Sequence, residues 1–168
     1  NGKTIESSAN KVFAVEKANN GLVLKNGTIK HTGTGNALYI MGDGITLTLN
    51  NMIITSSDLS LLSKGTNSQI TIENSNITSN YWGIYQHGLY GGNTFVIKGS
   101  VITDNSEESV GIYISGNKNL DLQNLIVENS VITGETSIEV KHTNVTITGS
   151  TLNATQENVF YAEGGNGS

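Results

Sequence analysis

One short stretch gathers much of this chain's ring chemistry. Tyr81, Trp82, Tyr85, His87 and Tyr90 fall within ten residues, and they include the only tryptophan and three of the six tyrosines. Aromatic rings on a surface bury large areas at little entropic cost, so such a group suits a sugar face or a protein partner. A second candidate is the acidic loop Asp104-Asn105-Ser106-Glu107-Glu108. Three carboxylates in five residues have the chemistry to coordinate calcium or to act as an acid–base pair, although Asp104, Glu107 and Glu108 lack a regular ligand spacing. His87, beside Trp82, has no carboxylate near it in sequence to serve as a catalytic partner. His31 and His142 are isolated and expected near the surface, and Asp43-Gly44 reads as a turn.

Composition removes several classes of chemistry. There is no cysteine, hence no disulfide framework, thiolate metal site or cysteine nucleophile. All nine basic residues are lysines against fourteen acids, for a formal net charge of −5. A chain of that balance without arginine is a poor match for nucleic acid, where phosphate neutralisation dominates affinity. No run approaches the ~18 apolar residues of a membrane span, so no membrane insertion is expected of this segment. Asn, Ser, Thr and Gly make up about 46% of positions and proline is absent.

The elements that position these residues follow from a repeat. An aliphatic residue, one more residue, an Asn or Gly, and another aliphatic three positions after it recur through the chain. Examples are Leu49-Asn50-Asn51-Met52-Ile53-Ile54, Ile72-Glu73-Asn74-Ser75-Asn76-Ile77 and Val127-Glu128-Asn129-Ser130-Val131-Ile132. The Asn/Gly column is Gly2, Asn26, Asn51, Asn74, Gly99, Asn129 and Gly149. Asn and Gly tolerate a positive φ, so a column without exception predicts one sharp left-handed bend per unit. Each bend is followed by a second motif, as in Gly83-Ile84-Tyr85-Gln86-His87-Gly88 and Gly111-Ile112-Tyr113-Ile114-Ser115-Gly116. Its third residue points outward, giving the column Tyr39, Leu62, Tyr85, Tyr113, Glu139 and Tyr161.

Period-2 alternation such as Ile70-Thr71-Ile72-Glu73 marks strands with one buried face, and no segment reads as helix. Short strands repeated every 20–30 residues specify a β-solenoid. The expected fold is an all-β, right-handed parallel β-helix of about seven coils, with three short strands per coil. Right-handedness follows from the rule for parallel crossovers. Ile5, Ile29, Ile54, Ile77, Ile102, Ile132 and Leu152 are expected to stack inward, with Thr55, Thr78, Thr103 and Thr133 as an outward ladder. Missing proline fits, since strand N–H groups are needed by neighbouring coils. Residues 1–168 are expected to form a single domain, a segment of a longer solenoid, with a flexible Gly-rich end at 164–168.

These two motifs, Ile-x-Asn-Ser-x-Ile-Thr and Gly-Ile-Tyr-Ile-x-Gly, resemble the repeats of pectin-lyase-like right-handed β-helices over essentially the whole chain. That family includes pectate lyases, polygalacturonases, phage tailspikes and autotransporter passenger domains, so fold does not choose the function. A pectate lyase implies an arginine base, which this chain lacks. A polygalacturonase implies clustered aspartates with Gly-His-Gly and Arg-x-Lys segments, of which Gln86-His87-Gly88 is only a partial echo. The polar, weakly charged composition looks more like bacterial surface adhesins, including autotransporter passengers. That resemblance implies a non-enzymatic, surface-located or secreted segment binding host glycan, extracellular matrix or itself. Tyr81, Trp82, Tyr85, His87, Tyr90 and Tyr113 are then the candidate ligand contacts, with no cofactor beyond calcium at the acidic loop. The alternatives are a polysaccharide lyase or glycoside hydrolase fragment and a tailspike-like fibre.

Overall fold

The repeat is realised as a parallel β-solenoid in a computed structural model that describes residues 2–164. The expected Gly-rich end at 164–168 lies outside the described residues except for Gly164. The chain opens with β1 (Thr4–Ser7) and β2 (Lys11–Val15), then coils through β3 (Gly21–His31), β4 (Asn36–Met41), β5 (Thr46–Ser56) and β6 (Leu59–Lys64). Next come β7 (Gln69–Glu73), β8 (Asn76–Ser79) and β9 (Trp82–Gln86), then β10 (Thr94–Lys98), β11 (Val101–Asp104) and β12 (Val110–Ser115). The last two turns are β13 (Gln123–Glu128), β14 (Val131–Gly134) and β15 (Thr136–Lys141), and β16 (Thr143–Thr148), β17 (Thr151–Ala154) and β18 (Phe160–Glu163).

All pairings are parallel and join equivalent strands of successive turns. The turn count is about six rather than seven. The opening copy supplies only β1 and β2, and the remaining six copies each supply all three faces. Two of those copies differ from the three-strand expectation, because β3 and β5 run unbroken through the bend and serve two faces each.

Expected columns appear in register. Ile29 pairs with Ile54, Ile54 with Ile77, Ile77 with Ile102, and Ile102 with Ile132. These five are essentially buried, whereas Ile5, in the opening turn, is 46% exposed. The Thr55, Thr78, Thr103 and Thr133 ladder is paired the same way, half-buried on the outside. Asn26, Asn51, Asn74, Gly99, Asn129 and Gly149 all have φ between 49° and 60°, as the bend requires.

The residue after each bend explains how the corner is held. Met52 N–H donates to Ser75 Oγ, Ser75 N–H to Ser100 Oγ, Ser100 N–H to Ser130 Oγ, and Ser130 N–H to Ser150 Oγ. The left-handed residue turns this N–H away from the strand ladder, and a serine of the next turn accepts it, buried at Ser75, Ser100 and Ser130 and partly exposed at Ser150. Each serine hydroxyl from Ser75 onward also donates to the carbonyl two residues earlier.

The structure adds a second bend column. Asn19, Gly44, Asn67, Gly92 and His142 also have positive φ, each seven residues ahead of a member of the first column. Leu122 stands at the equivalent place in the 30-residue turn. Its follower Gln123, together with Asn93 and Ser68, accepts the corner N–H groups: Ile45 N–H to Ser68 Oγ, Ser68 N–H to Asn93 Oδ1, Asn93 N–H to Gln123 Oε1. One further expectation is corrected here. His31 is 2% exposed rather than near the surface, with Nδ1 2.9 Å from Ser56 Oγ and Nε2 3.1 Å from the Ala9 carbonyl. It ends a strand at an inward position, so alternation buries it.

Candidate functional site: an aromatic patch on the third face

The third face is built from β2, β4, β6, β9, β12, β15 and β18. Register places Tyr39, Leu62, Tyr85, Tyr113, Glu139 and Tyr161 in one outward row. Strand period fixes this: the flanking Ile84 and Ile112 fill the core, so Tyr85 and Tyr113 must face out. Successive turns lie ~4.8 Å apart, which is close to the spacing of stacked rings.

The rings use that spacing. Trp82 stacks on Tyr85 with centroids 4.1 Å apart, on Tyr81 at 4.8 Å and against Tyr113 at 5.8 Å. Tyr85 and Tyr113 stack at 5.1 Å. Interplanar angles of 9–16° make this one parallel set. His87 then meets Tyr85 and Tyr90 edge-on, at 6.2 and 6.0 Å. All six candidate ligand residues therefore join one continuous patch. Their faces are largely spent on one another, so the patch offers edges, phenol hydroxyls and the 45%-exposed Tyr81.

Burial of the Tyr85 phenol pushes its ionisation above the ordinary value, with Tyr113 and Tyr81 adding to it. Tyr39 and Leu62, at the other end of the row, are buried at 7% and 8% exposure. They pack with Leu59 against Trp82 and Tyr85, and Lys11 Nζ sits 3.9 Å over the Tyr39 ring. That end of the row is therefore a small outer core, which the aliphatic character of Leu59 and Leu62 could have signalled.

Sequence reasoning also missed the cationic side of the patch. Lys141 Nζ lies 6.0 Å from the Tyr113 ring and bridges Glu139 at 3.4 Å and Glu163 at 2.9 Å. The hydrogen bond to Glu163 chiefly raises its affinity for a proton. Beside it, a cleft of about 340 Å³ is lined by Leu89, Ser115, Asn117, Lys118, Lys141 and His142 among others. Two loops, at 87–93 and 116–122, wall it. Asn117 N–H donates to the Tyr90 carbonyl, and His142 Nε2 lies 3.2 Å from the Leu120 carbonyl.

The acidic loop is split by the fold. Asp104 ends β11 pointing inward and is 3% exposed, while Glu107 and Glu108 are on the outside. Among the described residues, no group of three or more His, Cys, Asp or Glu side chains is placed to hold a metal ion. No described helix is long and apolar enough to cross a membrane. In comparisons with protein-family models, curated proteins and solved structures, none matched this chain.

Proposed function

We propose that this chain is a non-enzymatic segment of a bacterial cell-surface or secreted adhesin, of the right-handed, pectin-lyase-like β-helix type. It binds a glycan or an extracellular-matrix ligand through the side of the rod. The observation that carries this reading is the continuous patch in which Tyr81, Trp82, Tyr85 and Tyr113 stack, with His87 and Tyr90 edge-on beside a lysine-bearing cleft. A solenoid holds such a surface rigid, so a ligand orders few side chains on binding. Phenol hydroxyls and Lys118 supply the polar contacts that orient a saccharide or a matrix peptide, and the apolar ring edges and Leu89 supply area.

A glycan and matrix-protein array tests this with wild type, Tyr81→Ala and Tyr90→Ala. Both variants remove rings from the rim of the patch rather than from its centre. Binding by wild type that falls roughly tenfold or more in either variant supports the patch. Equal binding by all three excludes it. Turnover of a polysaccharide on the same array would favour the hydrolase or lyase reading. A concentration-dependent oligomer without array binding would favour self-association.

A further inference from the structure

Asp104 is the one buried carboxyl among the described residues. It occupies the inward column at the end of the second face, one turn after Ser79, and is 3% exposed. Its Oδ1 accepts from Ser79 Oγ at 3.5 Å and from Ser106 N–H at 3.2 Å. Its Oδ2 is buried with no partner, as are Ser109 Oγ and Ser137 Oγ close by in the chain and the next turn.

The loop at 105–109 is tied to this carboxyl in sequence. Ser106 N–H donates to Asp104, Glu108 N–H donates to Ser106 Oγ at 3.2 Å, and the Ser109 carbonyl accepts Thr136 N–H. The loop leads directly into β12, which carries Tyr113.

Of the acids around this loop, Glu135 is the one whose charge acts on the carboxyl. Glu107 and Glu108 lie exposed on the same loop, Glu135 stands between β14 and β15, and Glu157 N–H donates to the Glu135 carbonyl. None of these four, nor Asp104, takes part in an ion pair of the described residues, whereas Glu6, Glu16, Glu128, Glu139 and Glu163 all do. From β8 comes only the neutral Ser79. From β9 and β12 the inward side chains are Ile84, Gln86, Ile112 and Ile114, and from β14 they are Ile132 and Gly134. The imidazole in the same column, His31, lies turns away and is engaged with Ser56.

We propose that Asp104 and the loop at 105–109 form an acid-closed latch: the loop packs shut over the neutral carboxylic acid and loosens when the carboxyl ionises. A buried carboxylate with one oxygen unpartnered and like charges nearby is costly. Opening a five-residue loop hydrates it without disturbing the strand ladders, so the loop yields first. Protonation removes the charge, which is the costliest part of this burial. Burial chiefly, against the hydrogen bonds from Ser106, Ser79 and Asn105 and with a small push from Glu135, raises this carboxyl to about 6, which sets the switching range.

Hydrogen exchange of the loop amides tests the latch in wild type and Asp104→Asn, at about pH 5 and about pH 7.5, each corrected for intrinsic exchange. Wild type is expected to lose at least about tenfold protection at the higher pH. Asp104→Asn, a neutral isostere, is expected to stay protected at both. Unchanged wild-type protection, or pH-dependent protection surviving in Asp104→Asn, overturns the proposal. If that variant does not fold, carbon-detected NMR titration of the wild-type carboxyl decides: a midpoint near 6 shared by the loop amides supports the latch, and a midpoint in the ordinary aspartate range ends it.

Discussion

Gly83 and Gly111 face each other across successive turns so closely that a Cβ on Gly83 would meet the Gly111 carbonyl oxygen at 2.4 Å. The two glycines start the inward side of β9 and β12, where the third face meets the second. A Cβ on Gly111 would likewise lie 2.8 Å from the Ser137 carbonyl oxygen and 2.9 Å from that of Thr133. Neither glycine has a positive φ, so the constraint is space and not backbone conformation. The nearest obstructing atoms are backbone and cannot rotate away, and the buried Ile102 and Ile132 side chains close the space beside them.

Gly83→Ala and Gly111→Ala are accordingly expected to destabilise the protein by about 1–3 kcal/mol each, the usual cost of overpacking a closed site. Urea unfolding measures this. The equivalent position two turns earlier is Ala37, fully buried without strain, so Ala37→Gly should cost only about 0.5–1 kcal/mol. Gly83→Ala and Gly111→Ala proteins as stable as wild type would contradict the packing argument.

The serine corner makes a second prediction. Ser100→Ala removes the acceptor for Ser75 N–H and leaves that amide buried without a partner. A loss of about 1–3 kcal/mol is expected, because an orphaned buried donor retains its full desolvation cost. Ser100→Thr keeps the oxygen and should recover part of it. Ser150→Ala, at a more exposed corner, should cost less. Chemical denaturation of the three variants orders them, and a Ser100→Ala protein as stable as wild type would remove the corner's structural role.

Trp82 gives a spectroscopic prediction. It is the sole tryptophan, half-buried, with Tyr81, Tyr85 and Tyr113 stacked around it and an indole N–H that is buried without a partner. Trp82→Ala should cost about 2–3 kcal/mol and abolish a structured near-UV circular dichroism band from the stacked rings. Trp82→Phe should retain most of the stability. An unchanged near-UV spectrum in Trp82→Ala would mean that the rings do not stack in solution.

Much of the fold was legible because one backbone demand repeats. Only Asn and Gly adopt the left-handed bend cheaply, so Asn26 to Gly149 announce the coil length. The second bend column was hidden because His142 and Leu122 break the Asn/Gly rule, although its fixed seven-residue lead over the first column was a readable signal. Asp104 was also readable in principle. Alternation from Ile102 sends Thr103 outward and Asp104 inward, so a carboxyl grouped by sequence with a solvated loop belongs to the interior. The aromatic patch was legible as a set of residues and illegible as a surface. Whether rings turn faces or edges to solvent depends on the rotamers they adopt against the rings of the neighbouring turn, which no local pattern encodes.

The pH dependence of stability follows from Asp104 with its sign fixed. Its folded value, about 6, lies above the ordinary 3.8, chiefly because it is buried. The folded state therefore binds the proton more tightly than the unfolded chain does. Stability from this group is greatest near and below about pH 4 and declines as pH rises through 6, levelling off above. The full shift corresponds to about 3 kcal/mol, and hydration of the adjoining loop reduces the expected loss to about 1–2 kcal/mol. Asp43 acts in the opposite direction at lower pH. Its carboxylate accepts from the Thr66 hydroxyl and amide, which hold its value down, so its exposed contribution fades only as pH falls through that depressed value. Urea midpoints measured from about pH 4 to about pH 8 should fall between about pH 4 and about pH 6.5 in wild type and level off above. They should stay flat there in Asp104→Asn, since the amide cannot ionise, and a wild-type curve rising through that window would reverse the assignment.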